Sequence, residues 1–307
     1  MAQNSAPRTN TFRFLSVDKL FDEWPLYYRI MVNDTAGTVK YLRLDPQYGP
    51  PADSAERPTA FFSYRMAFDT VPEGTWYLGH LLPSATSDKE LVLTSTDATV
   101  LPGIDPSSFF HPCRVNLEDL LQGNPVGERW SHPQCTYKKQ AEVLEGPHIE
   151  RLTGHKAICA AWDWNPNEVL VGPGQDTYIY SLIDGHDIAP RFVGHITENK
   201  DTDGARAFGF MVEYMPDCRV AEAQDLEECK AVLRRLHQLG IVLGFLEPAC
   251  FLVVDKTDGQ KKVFLHGFGS ASATEDQEEM DDEMRKLEAM FAKDVLEKEE
   301  HETSVGI

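Results

Sequence analysis

Short runs of β-branched and aromatic residues, separated by turn-forming residues, dominate the first third of the chain. Such runs are typical of β-strands, and four segments show the pattern: 27–32, 38–44, 60–66 and 90–94. Residues 33–37 (Asn-Asp-Thr-Ala-Gly) contain the turn residues that favour a hairpin between the first two strands. The first ten residues are polar. The sequence therefore predicts a disordered tail at 1–10, followed by a β-rich accessory region at 11–106.

From residue 149 onward, strand-like and helix-like patterns alternate. Strands are predicted at 149–152, 157–161, 191–197 and 208–214, with a helix at 174–184 between the second and the third. A hairpin is predicted at 251–255 and 262–265, around Thr-Asp-Gly at 257–259. This mixture of separate strands and helices predicts an α+β fold.

Two further helices have apolar faces at helical spacing. The first follows Asp-Leu-Glu-Glu at 225–228, an acidic variant of the capping box, and ends at Gly240. The second is predicted to begin at Thr274, with Gln277 completing another capping box. Its apolar stripe predicts a core-facing helix and consists of Met280, Met284, Leu287, Phe291 and Val295.

The composition narrows the classes of partner. The chain has 307 residues, 42% apolar and 25% charged, with a formal charge of −20. Nucleic acids and anionic membranes are bound through clustered Lys and Arg, so neither is expected as a partner. No apolar run reaches the roughly 18 residues of a membrane span, and the polar N-terminus lacks the apolar segment of a secretory signal. The six cysteines are scattered without a Cys-x-x-Cys pair, which indicates reduced thiols, no metal site and a cytoplasmic location.

The loop between Gly240 and the predicted hairpin is the segment on which the interpretation of the chain from residue 149 onward depends. Three stretches before it are distinctive: Ile-Ala-Pro-Arg-Phe-Val-Gly-His at 188–195, Gly-Phe-Met-Val-Glu at 209–213, and Leu-His-Gln-Leu-Gly-Ile-Val at 236–242. Together they closely resemble a fungal family of kinase-like, aminoglycoside-phosphotransferase-like proteins. The resemblance covers about residues 108–295. It implies a two-lobed protein-kinase-like fold, with an N-lobe and hinge at 107–214 and a reduced C-lobe with an acidic C-terminal helix at 215–307.

The resemblance also identifies the positions that carry phosphoryl transfer in active members. Ala160 or Ala161 falls at the phosphate-binding lysine, Asp176 at the helix acid that pairs with it, and Glu213 in the hinge whose backbone contacts adenine. Leu243, Phe245, Cys250 and Gly267 replace the loop His, the catalytic Asp, the metal-binding Asn and the second metal-binding Asp, while Phe268 is retained. Phosphoryl transfer depends on those charges and on metal ions. We therefore expect no kinase activity, no cofactor, no metal and no partner for Asp176.

What replaces phosphoryl transfer remains open between hypotheses. A cleft lined by Ala160, Asp176, Glu213, Leu243, Phe245, Cys250, Gly267 and Phe268 would suit an apolar small molecule. His266 and Glu247 are the candidate catalytic residues for a non-redox cyclisation, isomerisation or cycloaddition in fungal secondary metabolism, the pathway context that the resemblance implies. The alternative is a pseudokinase that serves as a scaffold or binding protein, with a protein partner and no catalysis. A third hypothesis is residual nucleotide binding without chemistry.

Overall fold

The computed structural model describes residues 9–17, 25–48, 65–126, 132–135, 140–165, 169–199, 202–257 and 259–305. It is a mixed structure of sheets and helices, which confirms the predicted α+β class. The chain divides into two compact units. Unit 1 is Met1–Leu101 with Asn199–Arg206, and unit 2 is Pro102–Glu198 with Ala207–Ile307. The predicted accessory region did not include the returning segment Asn199–Arg206.

Unit 1 contains a seven-stranded sheet in the order β4-β7-β6-β3-β2-β1-β5. Its strands are β1 (Thr9–Val17), β2 (Leu26–Val32), β3 (Val39–Leu44), β4 (Arg65–Met66), β5 (Thr70–Pro72), β6 (Leu78–Ser84) and β7 (Ser87–Asp97). Strands β2 and β3 form the predicted antiparallel hairpin. Of the predicted tail, Thr9 and Asn10 belong to β1, and the earlier residues lie outside the described part. Of the predicted strand at 60–66, only β4 is described.

The central sheet of unit 2 has six strands in the order β8-β12-β13-β11-β10-β9. Its strands are β8 (Arg114–Asn116), β9 (Asn124–Pro125), β10 (Gln140–Glu145), β11 (Ala157–Trp162), β12 (Phe192–Glu198) and β13 (Arg206–Glu213). A second sheet contains β14 (Cys218–Val220), β16 (Phe251–Asp255) and β17 (Lys261–Leu265), while β15 (Ile241–Val242) pairs with β18 (Ser272–Ala273). The predicted hairpin at 251–265 is present as β16 and β17.

Five α-helices are described, all in unit 2. They are α1 (Leu117–Leu120), α2 (Pro147–Thr153), α3 (Gln175–Ile183), α4 (Leu226–His237) and α5 (Gln277–Val305), and a π-helical turn, Leu170–Gly174, leads into α3. One apolar core joins β11, β13 and β16 to helices α3, α4 and α5. Of the predicted stripe on α5, Met280, Leu287 and Phe291 are buried in the described part. None of the described helices combines the length and the apolar character that crossing a bilayer requires.

Three local predictions were wrong. Residues 149–152 were predicted as a strand but lie in α2, where Pro147 fits the first turn and Gly154 ends the helix at a φ of 78°. Both are helix-boundary residues, and they outweigh the short apolar run. The capping box before α4 is formed by Glu222 and Asp225, one turn earlier than predicted. Helix α5 begins at Gln277, three residues later than predicted.

Candidate functional site

The loop that follows β15 is fixed to helix α5 by a buried carboxylate. Glu283 of α5 is 5% exposed and accepts hydrogen bonds from the backbone N–H groups of Leu243, at 3.2 Å, and Gly244, at 2.7 Å. Its Oε2 atom also lies 2.7 Å from Nε2 of His237. Gly244 has a φ of 79°, and a Cβ atom there would collide with the carbonyl oxygen of Ser270. The loop is therefore held in one conformation that requires glycine.

Four predicted site residues in this loop, Leu243, Phe245, Glu247 and Cys250, are absent from the walls of the two cavities described below for unit 2. Leu243 is fully buried, whereas the side chain of Phe245 is 47% exposed. The thiol of Cys250 is buried and lies 3.6 Å from the carbonyl oxygen of Phe245. Glu247 is half-buried and precedes the 3₁₀ turn Pro248–Cys250. Leu243 and Cys250 are thus packed inward, and the Phe245 ring is half exposed.

The expectation that Asp176 lacks a partner is wrong. Asp176 in α3 is 1% exposed, and its Oδ1 atom accepts a 2.8 Å hydrogen bond from the backbone N–H of Phe268. The Phe268 ring packs edge-on against Tyr180, with ring centroids 5.3 Å apart. Burial, and after it the nearby Asp176 carboxylate, raise the pKa of Tyr180 well above its ordinary value. Asp176 thus connects α3 to the segment that carries Gly267 and Phe268.

The predicted catalytic residue His266 is bonded to the backbone beside the same segment. It is 5% exposed, its Nε2 atom lies 2.5 Å from the carbonyl oxygen of Ala249, and its backbone N–H donates to the carbonyl oxygen of Cys250. The next residue, Gly267, adopts a left-handed conformation with a φ of 79°. His266 therefore supports the chain around residues 249 and 250.

The cleft expected to hold a ligand is almost filled. A cavity of only about 10 Å³ remains, and its walls include Cys159, Ala161, Asp176, His266 and Gly267. A volume of this size holds about one water molecule. Ala160 lies between Cys159 and Ala161 on β11. Since side chains alternate along a strand, Ala160 faces away from the cavity and Ala161 occupies the inward position.

The cleft is closed by Gln134, a residue that the sequence analysis did not single out. Gln134 is 4% exposed and lies in the 3₁₀ turn Pro133–Cys135. Its Nε2 atom donates to the carbonyl oxygen of Glu213 at 2.9 Å. Its Oε1 atom accepts from the backbone N–H of Met215, also at 2.9 Å. The side-chain carboxamide therefore pairs with one backbone C=O group and one backbone N–H group at the end of β13. Gln134 lies 79 and 81 residues before these partners, so no local sequence pattern could indicate the contact.

A larger cavity of about 580 Å³ opens elsewhere in unit 2. It lies between the end of α3, residues 187–192, residues 213–217 and the hairpin β16–β17, and its aromatic wall includes Tyr180, Phe192 and Phe264. Two ion pairs are at its edge. Lys262 lies 2.6 Å from Asp187, and Arg191 lies 3.6 Å from Glu213. Glu213 is the one residue of the predicted site among the residues lining this cavity.

Within the described ranges, no group of three or more His, Cys, Asp or Glu side chains is arranged to hold a metal ion. The buried thiols of Cys218 and Cys229 have pKa values raised by burial, to about 11 and about 12. They are consequently poor nucleophiles at neutral pH.

Comparisons of the sequence with protein-family models and with curated proteins found no match.

Proposed function

We propose that unit 2 is a two-lobed, kinase-like domain that has lost phosphoryl transfer and acts as a binding protein. Phosphoryl transfer requires metal ions that bridge the phosphates, a residue that orients the nucleophile and a cation on the phosphates. The positions that the resemblance assigns to these roles hold Phe245, Cys250, Gly267 and either Ala160 or Ala161. Loss of one electrostatic contributor alone costs about 10²–10³ in rate. Loss of all of them leaves no arrangement that could transfer phosphate in this cleft.

The observation that carries the proposal is the contact of Gln134 with the backbone of Glu213 and Met215. The resemblance assigns Glu213 to the hinge, whose backbone contacts adenine in active kinases. Adenine presents an amino donor beside a ring-nitrogen acceptor, and a primary carboxamide presents the same pair of groups. Gln134 forms both hydrogen bonds at 2.9 Å and leaves a cavity of about 10 Å³. A nucleotide would have to break both hydrogen bonds, each of them worth about 0.5–1.5 kcal/mol net, and displace the turn as well. We therefore propose that the chain occupies its own adenine position.

A second candidate is the non-redox step on an apolar small molecule, and the cavity of about 580 Å³ favours it. Ligand pockets in proteins typically measure about 300–1,000 Å³ and combine apolar walls with a few polar groups. Its walls do not include His266 or Glu247, so neither would act there directly. The contribution of this cavity would be to hold a flexible substrate in a reactive conformer.

The binding-protein proposal is tested with Mg-ATP on the full chain. A ligand present at 100 times its Kd stabilises a protein by about 2.7 kcal/mol, which a thermal-shift assay resolves. We expect no shift and no phosphate transfer to the chain or to added acceptors. Stabilisation of the wild-type chain by Mg-ATP, or release of ADP at a rate typical of active kinases, would refute the proposal.

The two candidates are separated by filling the larger cavity. Ala189 lines it, and Ala292 lies on an exposed face of α5, so Ala189→Trp and Ala292→Trp form a matched pair. If a panel of apolar polycyclic and polyene ligands stabilises the wild type and Ala292→Trp but not Ala189→Trp, the small-molecule candidate is favoured. If no ligand stabilises any of the three, the binding-protein proposal stands without it.

A further inference from the structure

Unit 1 has a cavity of its own, which the proposed function of unit 2 does not use. The cavity measures about 380 Å³. It is lined by residues of the turn before β3, by Lys40 on β3, by residues 74–77, and by Thr202 and Asp203, and its ionisable and aromatic groups are Asp34, Lys40, Trp76, Tyr77 and Asp203. The volume is within the range of small-molecule pockets. All of these residues belong to the same compact unit.

The chemically distinctive group in this cavity is the amine of Lys40. Lys40 is 3% exposed, and lysine is almost never fully buried unless it is paired. Its Nζ atom donates to the carbonyl oxygen of Gly74 at 2.8 Å and lies 4.1 Å from the centroid of the Trp76 ring. Among the residues that the structure describes, no carboxylate lies within ion-pair distance of Lys40. One carbonyl and one aromatic face are therefore the partners of an amine with up to three donor hydrogens.

Burial changes the protonation of this amine. It lowers the pKa of Lys40 to about 8, an effect that the Asp34 charge partly opposes. An amine with that pKa is about one quarter neutral at pH 7.5, whereas an ordinary lysine is about one part in a thousand neutral. The ionisable groups that line the cavity with it are Asp34, Asp203 and Tyr77. A buried lysine that is partly neutral at physiological pH is a nucleophile.

The charges around the amine select the class of ligand. Asp34 and Asp203 give the cavity two carboxylates against the one amine, which disfavours an anionic ligand. Asp34 is fixed in place, since its Oδ1 atom accepts the backbone N–H groups of Ala36 and Thr38. A neutral ligand with a carbonyl group avoids this repulsion, and the face of Trp76 provides an apolar wall for its hydrocarbon part.

We propose that Lys40 is a nucleophilic lysine and that the unit 1 cavity takes a small neutral aldehyde or ketone. The Nζ lone pair adds to the carbonyl carbon, and a proton moves from nitrogen to the former carbonyl oxygen to give a carbinolamine. Loss of the hydroxyl group as water then forms the C=N bond of an imine. One amine and one carbonyl compound thus give one imine and one water, with no oxidant or reductant. Asp34 and Asp203 are the carboxylates in the cavity available to carry the protons.

The test uses benzaldehyde as the probe and sodium cyanoborohydride to reduce the imine to a stable secondary amine. Peptide mass mapping of the full chain then gives the rate of modification at each lysine. We expect Lys40 to be modified about tenfold faster than the exposed Lys256 at pH 7.5, allowing for the lower nucleophilicity of a less basic amine. The rate at Lys40 should rise with pH with a midpoint near 8. Because this comparison is made within the wild-type chain, it does not depend on any variant folding.

Two variants and one competitor complete the test. Lys40→Arg keeps the cation without the nucleophile and should lose the modification at position 40. Trp76→Leu keeps the amine but removes the aromatic wall, and it should slow the modification of Lys40 at least threefold. Modification of Lys40 at or below the rate of Lys256 would overturn the proposal. Protection of Lys40 by benzoate but not by benzyl alcohol would also overturn it, because it would identify an anion site.

Discussion

Glu283 gives a sharp test of how the loop after β15 is held. Its carboxylate accepts two backbone N–H groups and contacts His237. Glu283→Ala removes all three contacts. Gly244 is exposed and can be solvated, but Leu243 is fully buried, so its N–H group would stay unsatisfied at about 1–3 kcal/mol. With the loss of the contact to His237, we expect a total destabilisation of about 3–5 kcal/mol. Glu279→Ala, at an exposed position of the same helix, should change stability by less than about 0.5 kcal/mol.

Hydrogen exchange measured by mass spectrometry is the appropriate assay, because the chain has two compact units that need not unfold together. A peptide covering residues 240–246 should lose protection in Glu283→Ala. Peptides from β2 and β3 of unit 1 should keep theirs. If residues 240–246 exchange equally slowly in Glu283→Ala and Glu279→Ala, the carboxylate does not hold the loop.

Three further predictions concern unit 2. The ring nitrogens of His195 are buried without hydrogen-bond partners in the described structure, and burial lowers its pKa to about 4. Stability should therefore fall as the pH drops from about 6.5 toward 4, since the unfolded chain binds the proton first. His195→Phe should remove this pH dependence and raise the melting temperature. If the pH profile of His195→Phe equals that of the wild type, the prediction is wrong. Asp225 is fully buried, accepts hydrogen bonds from Arg219 and Lys261, and has its pKa lowered chiefly by Arg219. Asp225→Ala should cost about 3–5 kcal/mol in urea unfolding above pH 4. The cost should shrink at lower pH, because the carboxylate of the unfolded wild-type chain is protonated there while that of the folded chain stays ionised. An equal cost at all pH values would refute this. Phe245→Ala should cost less than about 1 kcal/mol because half of the ring is exposed, and a loss above about 2 kcal/mol would show that the ring fills a cavity.

Elements with strong local patterns could be predicted from the sequence. The β2–β3 hairpin, helix α4 and the β16–β17 hairpin were all expected close to their observed positions. Each has turn residues or a helix-ending glycine next to a periodic apolar pattern. The error at 149–152 arose because a short apolar run does not distinguish a strand from a buried helical turn. In that case Pro147 and Gly154 were the more informative residues.

Long-range partners could not be predicted. Asp176 was expected to lack a partner, but its partner is a backbone N–H group 92 residues away. Glu283 and Gln134 act in the same way, through polar side chains that satisfy distant backbone groups. Residue type and spacing along the chain do not encode such contacts, because backbone N–H and C=O groups are present at every position. The volume left in a cleft depends on these contacts, so the sequence alone could not indicate how far the cleft is filled.

The backbone amide of Met215 provides the most direct measurement of whether Gln134 closes the cleft. Hydrogen exchange resolved by NMR should show this amide protected in the wild-type chain and released in Gln134→Ala. The amide of Glu213 is the internal control, because it donates to the carbonyl oxygen of Arg191 and should stay protected in both proteins. If the Met215 amide of the wild-type chain exchanges as fast as that of an unfolded peptide, Gln134 does not occupy the cleft in solution and the proposed function loses its support.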